Sequence, residues 1–410
     1  MMRTVWILNH YAQEPGGPGG TRHFSLAQRL PRHGWQAAII AASVEHATGR
    51  DRLPAGVTSR LDVVAGVPFL WLKTSPYADN GLARIRNMLD YTRRALDRSV
   101  VSALPPPDAI IGSSVHPLAA WAGARLARRY RVPFLFEVRD LWPQTLVDMG
   151  RLKPDSWTTR ALQSLETRLY RQASSIVVLL PRAGDYIESL GISRSKVVWI
   201  PNGADLDTYR SVEPSVPSET FTLMYFGAHG TANGLENVLR AMRSLRDQGD
   251  AGAILLRLIG NGPSKPALMA MARDWQLTNV RFEDPVAKAA IPALAAEADA
   301  FVFNLQDVAV FKYGISSNKL FDYMAAGRPI IMAADAPDNP VDGAGAGLTV
   351  APEQPEQLAA AILAMMRLSH DERARMGAAA RQHVSTDYNI DALAERLAAT
   401  LDHAAEPPRS

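Results

Sequence analysis

The stretch Phe311-Lys-Tyr-Gly-Ile-Ser-Ser-Asn-Lys-Leu-Phe-Asp-Tyr-Met-Ala-Ala-Gly-Arg-Pro-Ile-Ile331 reads as a loop, a short helix and a buried strand. Ser316, Ser317 and Asn318 are candidate helix N-caps. Leu320, Phe321, Met324 and Ala325 give the helix an apolar side. Gly327 suits the left-handed residue past a helix end, and Pro329 stops the helix from continuing. A lysine in the first turn, Lys319, is poorly placed against the helix dipole alone. It is well placed if an anion sits there, because free N–H groups and the ammonium then converge on it. The stretch therefore points to a phosphate-bearing ligand. The plainer reading is an ordinary surface helix feeding a strand.

Outward from this stretch the chain alternates strand and helix. Apolar runs at Val5–Leu8, Gln36–Ala41, Asp108–Ile111, Phe134–Glu137, Ile176–Leu180 and Val197–Ile200 are separated by helical patterns, among them Pro117–Arg129 and Trp157–Gln172. The series restarts at Phe221–Tyr225, continues through Ile254–Ile259 and Ala300–Phe303, and ends in helices. Such alternation predicts α/β units with parallel sheets covered on both faces. Between the halves, residues 201–219 carry turn signals, Pro214 and Pro217, and no periodicity, which reads as a linker. The expected division is 1–200, linker 201–219, 220–386, and a last helix within 387–410 that crosses back to the first domain.

At 410 residues there is room for two or three domains. Cysteine is absent, which excludes a disulfide framework and Cys-based metal or nucleophile chemistry. No apolar run is long enough to span a bilayer, and the first residues lack the marks of a secretory signal. These observations fit a cytoplasmic protein. The net charge is +3, yet positive charge is concentrated locally. Leu82, Ile85, Leu89 and Leu96 recur at helical spacing, with Arg86, Asp90, Arg93 and Asp97 on the other side. Arg125, Arg128, Arg129 and Arg131 add four positives without an acid between them. These patches are either solvated faces or suited to an anionic surface. Together with the apolar Phe69-Leu-Trp-Leu72 they suggest peripheral contact with an anionic membrane at its inner face; a loop packed on the core is the alternative.

In parallel sheets, ligands bind beyond the carboxyl ends of the strands. The polar and glycine clusters fall there. Gly16–Gly20 follows the first strand of one half, Gly227–Gly234 the first strand of the other, and Gly260 and Gly262 a later one. The first loop is neither a dinucleotide fingerprint nor a P-loop. Two such sheets facing across a cleft lined by amides and Lys319 would suit a diphosphate.

The ordered set Gly16-Gly-Pro-Gly-Gly-Thr-Arg22, Val197-Val-Trp-Ile-Pro-Asn-Gly-Ala-Asp205, Tyr225-Phe-Gly-Ala-His-Gly230, Leu258-Ile-Gly-Asn-Gly-Pro263 and Asn318-Lys-Leu-Phe-Asp-Tyr-Met-Ala-Ala-Gly-Arg-Pro-Ile330 resembles the retaining GT-B glycosyltransferases of the family 4 group. Phe136-Glu-Val-Arg-Asp-Leu-Trp-Pro143 with Ser317–Met324 resembles its N-acetyl-fucosamine transferases of bacterial surface-polysaccharide synthesis. The resemblance implies two Rossmann-like domains: an N-terminal one for a glycan or lipid-linked acceptor and a C-terminal one for a nucleotide-sugar, usually UDP-linked. It implies no metal, no cofactor and no nucleic-acid partner. Donor-binding candidates are Gly17, Gly19, Gly20, Gly227, His229, Gly230, Asn233, Gly260, Gly262, Ser316, Ser317, Asn318, Lys319 and Asp322. Where many relatives carry two glutamates, this chain has Gly314 and Asp322. Asp140, Arg139 and His116 are the catalytic candidates, Asp140 to orient or deprotonate the acceptor hydroxyl. Each has a structural alternative: an Arg139–Asp140 pair holding the loop, a hydrogen-bonded loop histidine at His116, and a solvated Lys319. His10 is a weaker candidate. The rival functions are a nucleotide-sugar 2-epimerase and a non-catalytic nucleotide-sugar-binding subunit.

Overall fold

A computed structural model describes residues 2–16, 20–46, 48–77, 81–210 and 218–406. Gly17 and Gly19 lie outside them. The chain divides into two compact units, residues 1–201 with 390–410 and residues 202–389.

The first unit is built on strands β1 (Arg3–Leu8), β2 (Trp35–Ala42), β3 (Ser59–Val64), β4 (Val67–Leu72), β5 (Ala109–Ser113), β6 (Phe134–Val138), β7 (Ser175–Val178) and β8 (Val197–Trp199). The sheet order is β3-β4-β2-β1-β5-β6-β7-β8. Its helices are α1 (Arg22–Arg29), α2 (Leu82–Ala95), α3 (Arg98–Val101), α4 (Pro117–Tyr130), α5 (Gln144–Asp148), α6 (Trp157–Gln172) and α7 (Ala183–Ser189). The parallel expectation fails at one edge, where β3 runs antiparallel to β4. The cause is the two-residue connection Ala65-Gly66, both at positive φ (44° and 83°). Such a turn can only return the chain antiparallel; a parallel neighbour needs a crossover.

Two further readings are corrected here. The Phe69-Leu-Trp-Leu72 run is interior, since β4 pairs on both sides and all four residues are buried. The helix α2 is turned inside out relative to an ordinary amphipathic helix. It buries Asn87, Tyr91, Thr92 and Ala95, and leaves Leu82, Ile85 and Leu89 exposed.

The second unit holds β9 (Phe221–Phe226), α8 (Leu235–Gln248), β10 (Ile254–Ile259), α9 (Lys265–Asp274), β11 (Val280–Glu283), α10 (Ile291–Ala296), β12 (Ala300–Asn304), α11 (Asn318–Ala325), β13 (Ile330–Ala333), α12 (Pro340–Ala344), β14 (Gly347–Val350), α13 (Pro355–Arg367) and α14 (His370–Asp387). Its sheet is parallel, in the order β11-β10-β9-β12-β13-β14. Part of the segment expected as a linker is built into this unit. Ala204 N–H donates to the Tyr388 carbonyl at 3.0 Å, and Tyr209 is buried with its hydroxyl donating to Asp322 at 2.9 Å. A buried aromatic ring offsets the ordering of a short segment, so residues 202–210 do not behave as a free tether. The last helix, α15 (Ile390–Ala405), belongs to the first unit, where Ile390, Leu393, Leu397 and Leu401 join the core around α1 and β1.

A buried ionic network closes the carboxyl edge of the first sheet. Glu137, on β6, accepts from Arg22 Nε at 2.9 Å and from His23 Nε2 at 2.6 Å. Asn9 Nδ2 donates to His23 Nδ1 at 2.7 Å, which fixes the neutral tautomer protonated on Nε2. The other arm of Arg22 donates to the carbonyls of Ile200 and Pro201. Burial pushes the Glu137 carboxyl up, but His23 and Arg22 outweigh it and hold the group well below its usual range. The network thereby ties β1, α1, β6 and the end of β8 together. Glu137→Leu alone should cost about 3–5 kcal/mol, because it strands a buried guanidinium. Adding Arg22→Met should recover at least about 1 kcal/mol of that loss in urea unfolding, whereas additive losses would show the pair to be uncoupled.

Candidate functional site

In the second unit three pieces of backbone meet at the carboxyl ends of β9 and β10. The pairing of these strands continues into their loops. Gly227 N–H donates to Ile259 O at 3.0 Å, His229 N–H to Asn261 O at 2.9 Å, and Ser264 N–H to His229 O at 3.0 Å. This contact dictates the glycines. A Cβ on Gly260 would lie 1.9 Å from the Gly227 oxygen, and one on Gly262 would lie 2.5 Å from the His229 oxygen. The third piece is α11. Its Tyr323 hydroxyl bridges the Phe226 N–H at 3.0 Å and the Phe226 carbonyl at 2.9 Å, and its ring stacks on Phe301. Residues four apart share a helix face, so this anchor sets Lys319 over the β9 loop.

There Lys319 Nζ donates to Tyr225 Oη at 3.0 Å and to Asn233 Oδ1, and it lies 4.6 Å from the centre of the Tyr225 ring. Among the described residues no carboxylate lies within ion-pair distance of it. Burial holds the ammonium down to about 7. The side chain is half-buried, with its ammonium engaged by these two groups. His229 is fully buried, and neither of its ring nitrogens has a hydrogen-bond partner among the described residues. Burial first, then Lys265 and Lys319, keep it down to about 4, so the ring is neutral. Asn233 also donates to Ala228 O at 2.8 Å and so joins the loop to the lysine.

Thus Gly227, His229, Asn233, Gly260, Gly262 and Lys319 come together, with Gly230 opening the short turn that carries Asn233. Ser317 sits at the N-cap of α11 without a side-chain cap bond, and Asn318 is the first helical residue. Ser316 is otherwise engaged. Its hydroxyl accepts from Asn202 N–H at 2.9 Å and its carbonyl from Asn202 Nδ2 at 2.7 Å. Asp322 is nearly buried and receives the Tyr209 hydroxyl; burial pushes its carboxyl up. Gly314 adopts φ 100°, ψ −175°, a conformation that belongs essentially to glycine.

In the first unit His10 and His116 form a buried pair, His10 Nδ1 to His116 Nε2 at 2.7 Å. His116 caps α4, its Nδ1 accepting from Ala119 N–H. That bond assigns the protons in turn. His116 Nε2 must donate to His10 Nδ1, and His10 must carry its own proton on Nε2. His10 Nε2 has no hydrogen-bond partner among the described residues. Burial is the main reason both rings stay neutral, His116 down to about 3. The cap and the pair use both nitrogens of His116, so the loop-histidine reading describes it.

Arg139 and Asp140 follow β6, but they make no ion pair with each other. The loop is held instead by Ser114, whose hydroxyl accepts from Arg139 N–H at 3.0 Å. The Asp140 side chain is accessible, and the surrounding protein pushes its carboxyl up with Arg139 opposing. Gly20 directly precedes the segment that opens α1. An aromatic stack that sequence reasoning missed lies beside His10. Tyr11 stacks on His46 at 4.6 Å, His46 Nδ1 meets the Tyr77 hydroxyl at 2.6 Å, and Arg84 Nε donates to Tyr11 Oη at 3.0 Å. Its members are scattered over three loops, so no local motif marks them.

Residues 18–203 match the family model described as Glycosyl transferase 4-like domain, and residues 220–367 match that of Glycosyl transferases group 1. A putative colanic acid biosynthesis glycosyltransferase, WcaL of Salmonella typhimurium, is 27% identical over 240 residues, 57% of this chain and 58% of its own length. The chain thus spans little more than half of that relative. Sucrose-phosphate synthase of Thermosynechococcus elongatus superposes with a TM-score of 0.74 at 16% identity, covering 96% of this chain and 97% of its own. Anabaena HepE in complex with UDP-glucose superposes with a TM-score of 0.66 at 16% identity, covering 98% and 100%. The two domain matches together take in most of the chain and coincide with its two parallel-sheet units, one similar to the glycosyl transferase 4-like domain and the other to glycosyl transferases group 1, and the chain has the fold of the GT-B glycosyltransferases.

Proposed function

We propose that this protein is a retaining glycosyltransferase that moves a sugar, by our reading a UDP-linked N-acetyl amino sugar, onto a glycan or lipid-linked saccharide in bacterial surface-polysaccharide synthesis. The observation that carries the reading is the half-buried ammonium of Lys319, which among the described residues has no carboxylate beside it and sits over two glycine loops. A charge partly withdrawn from water without a counter-ion is costly, and a bound diphosphate lowers that cost. The relative named for colanic acid biosynthesis and the neighbour holding UDP-glucose support the same direction.

In this reading the bond between the anomeric carbon and the β-phosphate oxygen breaks while the acceptor oxygen bonds to that carbon on the same face. The acceptor proton passes to the departing diphosphate. The chain contributes charge and position. Lys319 and the loop amides stabilise the leaving group. In this reading Ser317, Asn318, Gly230 and Asp322 serve the sugar and ribose hydroxyls. Asp140 and Arg139 meet the acceptor hydroxyl. The Tyr11–His46 stack offers a flat face for an acceptor ring. His116 acts by holding His10, whose Nε2–H is the donor the pair has left to offer. No metal or cofactor enters this scheme.

Lys319→Met should raise the stability of the ligand-free protein by about 1 kcal/mol, since it deletes a half-buried charge held only by neutral groups. The same change should weaken UDP-N-acetylglucosamine binding on the order of a hundredfold by calorimetry, and unchanged affinity would reject the phosphate role. The anion raises the lysine pKa on binding, so binding takes up a proton above the free value of about 7. Affinity should therefore decline as pH rises through that value, and the decline should vanish in Lys319→Met. The activity itself is tested with UDP-, GDP- and dTDP-sugars and a lipid-linked acceptor, reading the product anomer by NMR. A donor that binds and never yields a glycosylated acceptor defeats the transferase reading.

A further inference from the structure

Helix α11 joins two places in the second unit. Its first turn carries Lys319 to the glycine loops, and the residues after its last turn, Ala326 and Gly327, wall a cavity of about 170 Å³ at the amino ends of β12 and β13. Arg328 and Pro329 lead into β13, Asp299 leads into β12, and one side of α14 forms the facing wall. Helix α14 rides directly on the turn after α11. A Cβ on Gly377 would lie 2.0 Å from the Gly327 oxygen. Ala374 and Ala378, one helical turn apart on α14, leave the cavity open where longer side chains would fill it.

The lining is positively charged. Among the described residues it holds Arg328, Arg373, Arg381 and His370 against one carboxylate, Asp299. The guanidinium groups are tied by neutral backbone. Arg328 donates to Ala298 O at 2.9 Å and Ala296 O at 3.1 Å. Arg373 Nη1 donates to Leu368 O at 2.7 Å and Met366 O at 3.2 Å, and Arg381 Nη2 to Tyr209 O at 2.9 Å. The one acid is already used. Thr222 N–H donates to Asp299 Oδ2 at 2.8 Å, and Arg373 Nη2 stands 3.9 Å from Asp299 Oδ1, beyond hydrogen-bond distance. That nitrogen, with Nε and Nη1 of Arg381, has no hydrogen-bond acceptor among the described residues. Burial pushes the Arg328 guanidinium down, with Asp299 opposing, but an arginine keeps its proton at any ordinary pH.

We propose that this cavity binds a phosphate group, at a site separate from the glycine loops. Three arginines against one aspartate leave two positive charges, which match a phosphate near neutral pH. Guanidinium forks fit phosphate oxygens in geometry as well as in charge. The volume decides the size of the ligand. At about 170 Å³ the cavity falls short of the roughly 300–1,000 Å³ of sites for drug-sized ligands, so it takes a phosphoryl group with a small substituent at most, not a nucleotide. Helix α11, about 12 Å long, separates it from Lys319. Phosphate binding here requires neither sugar donor nor acceptor, so it stands or falls separately from the transferase reading.

The test is calorimetric titration of the full chain with inorganic phosphate. Lys319→Met removes the lysine at the glycine loops, so phosphate that this variant still binds, one per chain, is held elsewhere. Ala378 is exposed at the rim of the cavity, and Ala378→Glu adds a carboxylate there without deleting a hydrogen bond. It should weaken phosphate binding on the order of tenfold or more, and its unfolding midpoint in phosphate-free buffer should not fall below that of wild type. Arg373→Gln should weaken binding to a similar degree, but it also removes two backbone ties, so the Ala378→Glu variant decides. Binding that Lys319→Met abolishes, or that Ala378→Glu leaves unaltered, overturns the proposal. Absence of binding at millimolar phosphate does the same, and the arginines then serve only to tie backbone. Competition by glycerol 1-phosphate would make the occupant a phosphate ester and its failure to compete the free ion; both outcomes uphold the site.

Discussion

An ammonium half withdrawn from water, with no carboxylate beside it among the described residues, is the constraint around which the loops of the second unit are arranged. Lys319 could be kept only where something else stabilises it, and the protein supplies neutral groups alone: a phenol oxygen, an amide oxygen and the faces of Tyr225 and Phe303. These soften the penalty without cancelling it, which is why the group is held down to about 7. Everything near it serves the same geometry. The Tyr323 bridge to Phe226 fixes the helix, and the glycines let two loops touch so that the lysine has a floor.

Much of this was legible in the sequence, and the parts that were not have physical reasons. The strand–helix alternation was plain because buried parallel strands are unbroken apolar runs. Lys319 was legible because a lysine in the first turn after a cap cluster contradicts the helix dipole. Periodicity carries no sign, so α2 could not reveal which of its faces meets the sheet. Its inward side is Asn87, Tyr91, Thr92 and Ala95, which a hydrophobicity count ranks below leucine. The edge hairpin was hidden because Ala65 does not advertise a positive φ. The Glu137 network was hidden for a different reason: its members come from β1, α1, β6 and the end of β8. The one local signal was a carboxylate inside Phe134-Leu-Phe-Glu-Val138, since an acid in a wholly buried strand must have a partner.

Gly314 changes meaning once its backbone is seen. As a sequence letter it is the loss of a carboxylate that many family relatives have. In the structure it is a backbone conformation at φ 100° and ψ −175°. A glutamate placed there has to strain or move the loop between β12 and α11. The departure from that family pattern is therefore one of backbone path as well as of charge.

The last helix belongs to a unit whose other parts were made some two hundred residues earlier. On a ribosome the second unit can complete its sheet and helices while the first still lacks Ile390, Leu393, Leu397 and Leu401. Until α15 emerges, the apolar side of α1 and β1 is open to water, and the nascent chain carries a finished domain tethered to an unfinished one. The order of synthesis and the order of folding are thus inverted: the unit that begins first is closed last, and its core is exposed for the longest time to whatever in the cell binds unfolded apolar surface.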